Sequence, residues 1–187
     1  MPAPSRTSRD AIVLAAGETL EVDGLDGLTM QAVAARVGVR APSLYKHVQG
    51  RDDLVRLVTE AAVIELAGRM EAAAPEGTEP RAALHAAARA LRAFGHARPG
   101  AFRLIFSPGP AATLPDPGVA LRGVAVVMRV ATELAGPDHA LEAARTLTAW
   151  ASGFIAMELA GAFRMGGDVD RAFDYGARRL ADALARD

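Results

Sequence analysis

The chain has 187 residues, of which 51% are apolar, 23% charged and 5% aromatic, which excludes a wholly disordered protein and suits one large domain or a small one joined to a larger. It has no cysteine, so disulfides, thiolate zinc sites, iron–sulfur clusters and cysteine nucleophiles are excluded together. Basic and acidic residues balance, 21 against 22; no global basic field advertises an anionic partner, which has to be met by a local patch.

Met1 to Asp10 is polar and Arg-bearing, without the apolar run of a signal peptide. The apolar stretches stop well short of the ~18–20 residues of a membrane span, so the chain reads as cytoplasmic, with no membrane partner. Residues 8–22 place Ile12, Ala16 and Leu20 on one helical face, with Arg9, Asp10, Glu18 and Glu21 elsewhere. Asp23-Gly24 and Asp26-Gly27 then break the helix. Thr29 is placed to cap a second helix carrying Met30, Val33, Ala34 and Val37, ended by Gly38. Pro42 and Ser43 open a short third helix whose Leu44 and Val48 share a face, and Gly50 closes it. Asp52 and Asp53 suit the first turn of a fourth helix running to about Ala74.

Residues 75–80 form a surface loop, 81–98 an Ala/Arg-rich helix and 99–106 a short one with Phe102, Leu104, Ile105 and Phe106. Prolines at 108, 110, 115 and 117 make Ser107 to Gly118 a loop. Residues 119–135, 140–164 and 168–185 are read as the last helices, bounded by Gly136-Pro137, Gly166-Gly167 and Asp168. No segment has strand periodicity. The predicted class is all-α with about nine helices.

Residues 29–48 have the layout of a helix-turn-helix. Two short helices that cross steeply need a small residue at their approach, which Ala34 supplies, and a turn residue at ease with positive φ, which Gly38 supplies. Leu44 anchors the second helix, leaving Arg40, Ala41, Ser43, Lys46 and His47 outward, with Tyr45 at an edge. Residues 36–51 carry Arg36, Arg40, Lys46 and Arg51 and no acid. Short helix pairs of this spacing also occur in proteins that never meet DNA; the acid-free basic face is what favours nucleic acid. In that reading Arg40 reaches a guanine, Ala41 and Pro42 touch thymine methyls, and Tyr45, Lys46 and His47 meet phosphates.

The run Thr29-Met30-Gln31-Ala32-Val33-Ala34-Ala35-Arg36-Val37-Gly38-Val39-Arg40-Ala41-Pro42-Ser43-Leu44-Tyr45-Lys46-His47-Val48, followed by Gly50-Arg51-Asp52-Asp53-Leu54, resembles the DNA-binding region of TetR-family transcriptional regulators. The resemblance covers about residues 8–60. Farther on, Arg145, Gly153-Phe154-x-x-Met157-Glu158-x-x-Gly161-x-Phe163, Asp168-Val169-Asp170 and Phe173 are similar to one subclass of TetR-type C-terminal domain, which often carries histidine where this chain has Ser152. The resemblance implies a helix-turn-helix domain at 6–50 and a helical ligand-binding and dimerisation domain at 51–187. It implies a homodimer on a palindromic DNA operator, with one reading helix per subunit in successive major grooves, released when a small molecule binds the C-terminal domain. Thr29, Tyr45, Lys46 and His47 would meet phosphates; Gln31, Arg40, Ala41, Pro42 and Ser43 would face base edges or the backbone beside them. Phe94, Phe102, Phe106 and Met128 lie on helices that the resemblance places around the ligand cavity.

Trp150, Phe154 and Met157 form a stripe that is either plain core or pocket lining, with Trp150 and Phe154 the ligand candidates. Gly153, Ala156, Ala160 and Gly161, with the last helix, suit a dimer seam. Glu158, in an apolar run, is paired in the core, lines a ligand site or sits at that seam. His85, His96 and His139 are scattered, without the clustered ligands of a metal site, so no metal site, cofactor or catalytic group is expected, and no enzyme. Two alternatives stand beside a repressor: an activator of the same fold, and a helical ligand-binding or interaction protein whose head does not read DNA.

Overall fold

A computed structural model describes residues 8–107 and 109–185. Among them every regular element is helical: α1 (Arg9–Gly27), α2 (Met30–Val37), α3 (Arg51–Ala73), α4 (Pro80–Ala97), α5 (Pro99–Phe106), α6 (Pro117–Ala135), α7 (Ala140–Leu159) and α8 (Val169–Leu184). Three short 3-10 helices, Ala41–Lys46, Ala111–Thr113 and Pro137–His139, complete the set. The expected start of the head at residue 6 and the end of the chain at 187 lie outside the described residues.

The chain forms two compact units, one running up to Val63 and including Arg98–Ala120, the other built from Ile64–Ala97 and Leu121 onward. The unit that holds the helix-turn-helix is therefore larger than residues 6–50. Its core joins Ile12, Ala16 and Leu20 of α1 to Val33 and Ala34 of α2, to Leu44 and Val48, and to Leu54 and Val58 of α3. Leu104 of α5 packs against the same cluster. The α1 break falls where the sequence puts it: Gly24 has φ 70°, ψ −176° inside an otherwise helical span, and one helical turn resumes before Leu28. Arg51 closes that frayed end, donating to the carbonyls of Leu25 (2.6 Å) and Leu28 (3.0 Å).

Glu21 ties α1 to α5 in the same unit. Its carboxylate accepts from the backbone N–H groups of Gly100 (2.8 Å) and Ala101 (3.0 Å) and from Arg98 Nε (3.2 Å). An anion at the first turn of a helix meets unpaired donors and the positive end of the dipole. The approach is tight, since a Cβ on Gly100 would lie 3.0 Å from Leu20 O.

In the second unit α4 packs against α7 and α8. Alanines make one contact surface: Ala131 and Ala135 of α6 meet Ala143 and Ala144 of α7, with Val127, Met128 and Leu184 around them. α7 stops at Leu159, five residues before the expected end at 164. Gly161 has φ 63°, its N–H bonds Glu158 O, and the N–H of Ala162 bonds Met157 O; this is the Schellman closure that ends helices at glycine. Gly161 is thus a helix stop, not a small residue inside the helix. Asp168 caps α8 through Arg171 N at 3.0 Å.

Candidate nucleic-acid interface

Local chemistry builds the helix-turn-helix from both ends of α2. Thr29 Oγ1 accepts from Ala32 N at 3.1 Å, as an N-cap does. At the other end Gly38 takes φ 79°, its N–H bonds Ala35 O (3.1 Å) and Val39 N bonds Ala34 O (2.9 Å). These two bonds form a second Schellman motif, which turns the chain sharply over the buried methyl of Ala34.

The next element, the short third helix of the sequence, is a six-residue 3-10 helix, tighter than an α-helix. Pro42 at its first turn donates no N–H, and the bonds that form are Ser43 N to Arg40 O (2.9 Å) and His47 N to Leu44 O (2.8 Å). Three residues per turn eclipse positions i and i+3. Ala41, Leu44 and His47 accordingly share the inner side, Leu44 fully buried and the other two half-buried, with Ala41 packed on the core. Pro42 and Tyr45 form one outward row, Tyr45 58% exposed, and half-buried Ser43 and exposed Lys46 form another. Thr29, Gln31 and Arg40 are also exposed. Seven of the nine candidate residues thus sit on this short helix or directly beside it, while Thr29 and Gln31 stand at the start of α2.

The four cations of residues 36–51 do not have equal standing. Arg51 is committed to α1 carbonyls, and Arg36 pairs with Glu18 across 3.1 Å in an exposed contact. Among the described residues Arg40 and Lys46 have no carboxylate partner. Of the two acids that follow, Asp53 is turned to another use, accepting from Gln49 N (2.8 Å) and from Arg56 (2.7 Å). Burial works against its charge, but the Gln49 N–H and the Arg56 guanidinium outweigh it and hold the carboxyl below its ordinary pKa.

The six ligand candidates fall in separate places. Phe102, buried, and Phe106 lie in the first unit with ring centres 4.8 Å apart. In the second unit Trp150 stacks on Phe173 at 5.0 Å, while Phe154 meets Phe173 edge-on at 5.2 Å and Phe163 at 4.8 Å. Phe173, fully buried, organises that cluster; the quoted motif contains it, but spacing alone did not single it out. Met128 packs on the alanine surface, and Phe94 is buried beneath the Arg69 guanidinium, 5.6 Å from its ring centre.

Glu158 is a paired acid. Arg92 donates to both its oxygens, Nε at 2.8 Å, and His96 Nε2 lies 3.0 Å away. The Arg92 guanidinium, assisted by His96, holds the Glu158 carboxyl below its usual range against the opposing effect of burial. His85 lies 3.1 Å from Asp174, which also takes a two-pronged contact from Arg89. Both histidines therefore have carboxylate companions, supplied by other helices. Among the described residues no group of three or more His, Cys, Asp or Glu could hold a metal, and no helix is long and apolar enough to cross a membrane.

Comparison with known proteins matches this architecture in both halves. Residues 12–58 match the family described as bacterial regulatory proteins, tetR family, and residues 84–180 the tetracyclin repressor-like C-terminal domain. An uncharacterized HTH-type transcriptional regulator of Mycobacterium tuberculosis is 28% identical over 185 residues, covering 98% of this chain and 84% of its own. The HTH-type transcriptional repressor DrrR1 of Streptomyces coeruleorubidus is 39% identical over 59 residues, 32% of this chain and 22% of its own. Among solved structures, a protein of Rhodococcus sp. RHA1 superposes with TM-score 0.81 at 26% identity, covering 99% of this chain and 98% of that one. A TetR variant of Acinetobacter baumannii in complex with minocycline gives TM-score 0.71 at 26% identity over 95% and 96%. The chain belongs to the TetR family of ligand-responsive, DNA-binding bacterial transcriptional regulators.

Proposed function

We propose that the chain acts as a homodimeric repressor of a palindromic operator, and that a small molecule bound by the C-terminal half releases it. The observation that carries the DNA side is the outward face of the 3-10 helix: Pro42, Tyr45 and Lys46 stand out from a base fixed by Leu44, with Ser43 half-buried beside them and Arg40 unpaired at its entrance. Small side chains let this face approach the floor of a major groove, and the cations and hydroxyls around it suit phosphates. Gln31, Arg40, Ala41, Pro42 and Ser43 are assigned to base edges or the adjoining backbone. Thr29, Tyr45, Lys46 and His47 are assigned to phosphates.

Two heads of a dimer have to sit about 34–36 Å apart to reach successive major grooves. Exposed Gly153 and Ala156 on α7 and Ala160 just past its end, with the outer face of α8, are the surface we assign to the seam. The effector is assigned to the second unit, where the Trp150–Phe154–Phe173 cluster offers the aromatic wall. Its binding would favour a setting of α3 that takes the heads off the groove spacing. No chemistry on substrate is assigned to any residue: the role is that of a non-enzymatic regulator acting in the cytoplasm.

The test is fluorescence anisotropy of the purified protein on its own gene's upstream DNA across a salt series. Tight, palindrome-dependent binding with two subunits per site and a steep salt slope is expected. Weak binding indifferent to sequence, together with no motif from a random-library selection, would overturn the reading.

A further inference from the structure

Of the 21 lysines and arginines in the chain, one alone is lysine. That residue, Lys46, ends the 3-10 helix and stands exposed on the face assigned to DNA. We propose that Lys46 is a modification site, at which acyl transfer from a small acyl phosphate removes a charge from the DNA face and lowers operator affinity. The proposal rests on the assignment of Lys46 to a phosphate, and adds a means of release that needs no effector in the C-terminal half.

Residue chemistry singles out this one position. A guanidinium stays protonated and offers no nucleophile, whereas a lysine amine freed of its proton is one. The other cations of the acid-free run, Arg36, Arg40 and Arg51, are therefore inert toward an acyl donor. Tyr45 and His47, its chain neighbours, can take an acyl group only as an ester or an acyl-imidazole, which water removes. An amide on Lys46 persists. An acyl donor thus finds a single side-chain amine in the whole chain, placed where loss of charge is felt.

The setting favours the reaction and spares the fold. Lys46 has no carboxylate partner among the described residues, so no ion pair has to break first. Residues 36–51 hold no acid, and a surface that suits DNA phosphates also attracts the phosphoryl end of the donor. The ammonium gives its proton to the solvent, and Nζ attacks the acyl carbon. An N–C bond forms as the C–O bond to phosphorus-bound oxygen breaks, and inorganic phosphate leaves with the electron pair. The product is a neutral amide, so each subunit loses one positive charge and a salt-bridge donor. Leu44, fully buried, anchors the helix, while the exposed Lys46 side chain leaves the acyl group in solvent.

Full-length protein is treated with acetyl phosphate, and peptide mass mapping separates acetylation of Lys46 from that of the α-amino group. Operator affinity is then read by anisotropy across a salt series, beside Lys46→Arg, which keeps a charge and has no amine to acylate. We expect acetylation of Lys46, slowed about fivefold or more by saturating operator DNA. Acetylated protein should bind about tenfold or more weakly, with the salt slope lowered by about one per modified subunit. Treatment should leave Lys46→Arg at its own untreated affinity. No acetyl group on Lys46, or acetylated protein with its former affinity and slope, overturns the proposal. So does an equal loss in treated Lys46→Arg, which would place the effect on another group, and so does a rate of acetylation indifferent to DNA. Acetylation should also move elution from heparin to lower salt, and unmoved elution counts against the proposal. The mass and heparin readouts need no operator, so a protein that binds no operator fails the assigned function while these still decide the modification.

Discussion

Arg40 and Lys46 are both exposed and unpaired, yet their settings give them different work. Arg40 stands before the 3-10 helix in extended backbone (φ −86°, ψ 145°), where its fork can reach a base edge. Arg40→Ala should cost about 1–3 kcal/mol on the operator and relax specificity at one position, read by anisotropy on a panel of single-base variants. An equal loss on every sequence would move Arg40 to the phosphate group. Lys46 is a point charge on the outer row, so Lys46→Ala should weaken binding on all sequences and lower the salt slope by about one. An unchanged slope would remove it from the phosphates. At this scale the sequence showed which side chains carry charge but not which charges are already used. Arg51 and Glu21 look like surface ions in the sequence, and both close helix ends in the fold. Partners 26 and 79 residues away leave no local spacing signal. His85 and His96 show the same blindness, since their carboxylates come from α8 and α7.

Elements were legible where their ends carry their own chemistry. Thr29 and Gly38 bracket α2 as the sequence predicts, because a side-chain cap and a left-handed glycine are local devices. Gly161 is such a device too, and ends α7 short of the expected 164. Whether residues 41–46 wind as α or 3-10 was not legible. Both bury Leu44, and only the missing Pro42 donor and the short span decide for the tighter winding. Two substitutions test what holds other elements, α2 at its start and α8 on α7. Thr29→Ala removes the cap bond to Ala32 and should lower stability by about 0.5–2 kcal/mol, measured by urea unfolding. Gly176→Ala tests the packing of α8 on α7, because a Cβ there would stand 2.6 Å from the Trp150 ring. Overpacking of a rigid ring costs typically about 1–3 kcal/mol. A neutral result would mean that Trp150 moves aside with ease, and would remove it as a fixed wall of the aromatic cluster.

For the whole molecule the near-zero net charge conceals a division of labour. The candidate DNA face keeps cations unpaired, while in the second unit cations and acids are matched across α4, α7 and α8: Arg92 with Glu158 and Asp170, Arg89 with Asp174. Arg92 lowers the pKa of Glu158, and Arg89 that of Asp174, from ordinary values of 4.5 and 3.8. A carboxyl whose pKa is lowered on folding stabilises the native state above its unfolded value, and that contribution is lost as pH falls through the lowered one. Neutral and mildly acidic solutions down to about pH 5 should leave these pairs intact, and the loss should begin near pH 4.5 and deepen toward pH 3. Thermal unfolding followed by circular dichroism over this range measures it. Glu158→Gln should unfold at lower temperature than the parent at pH 7, since Arg92 loses its main partner in a setting where the Glu158 side chain is only 14% exposed. It should then lose less than the parent between pH 4.5 and 3, because the proton that the parent takes up no longer has a carboxylate to find. Parallel curves for the two proteins would mean that Glu158 titrates alike folded and unfolded, and that the Arg92 contact contributes nothing to holding α7 against α4.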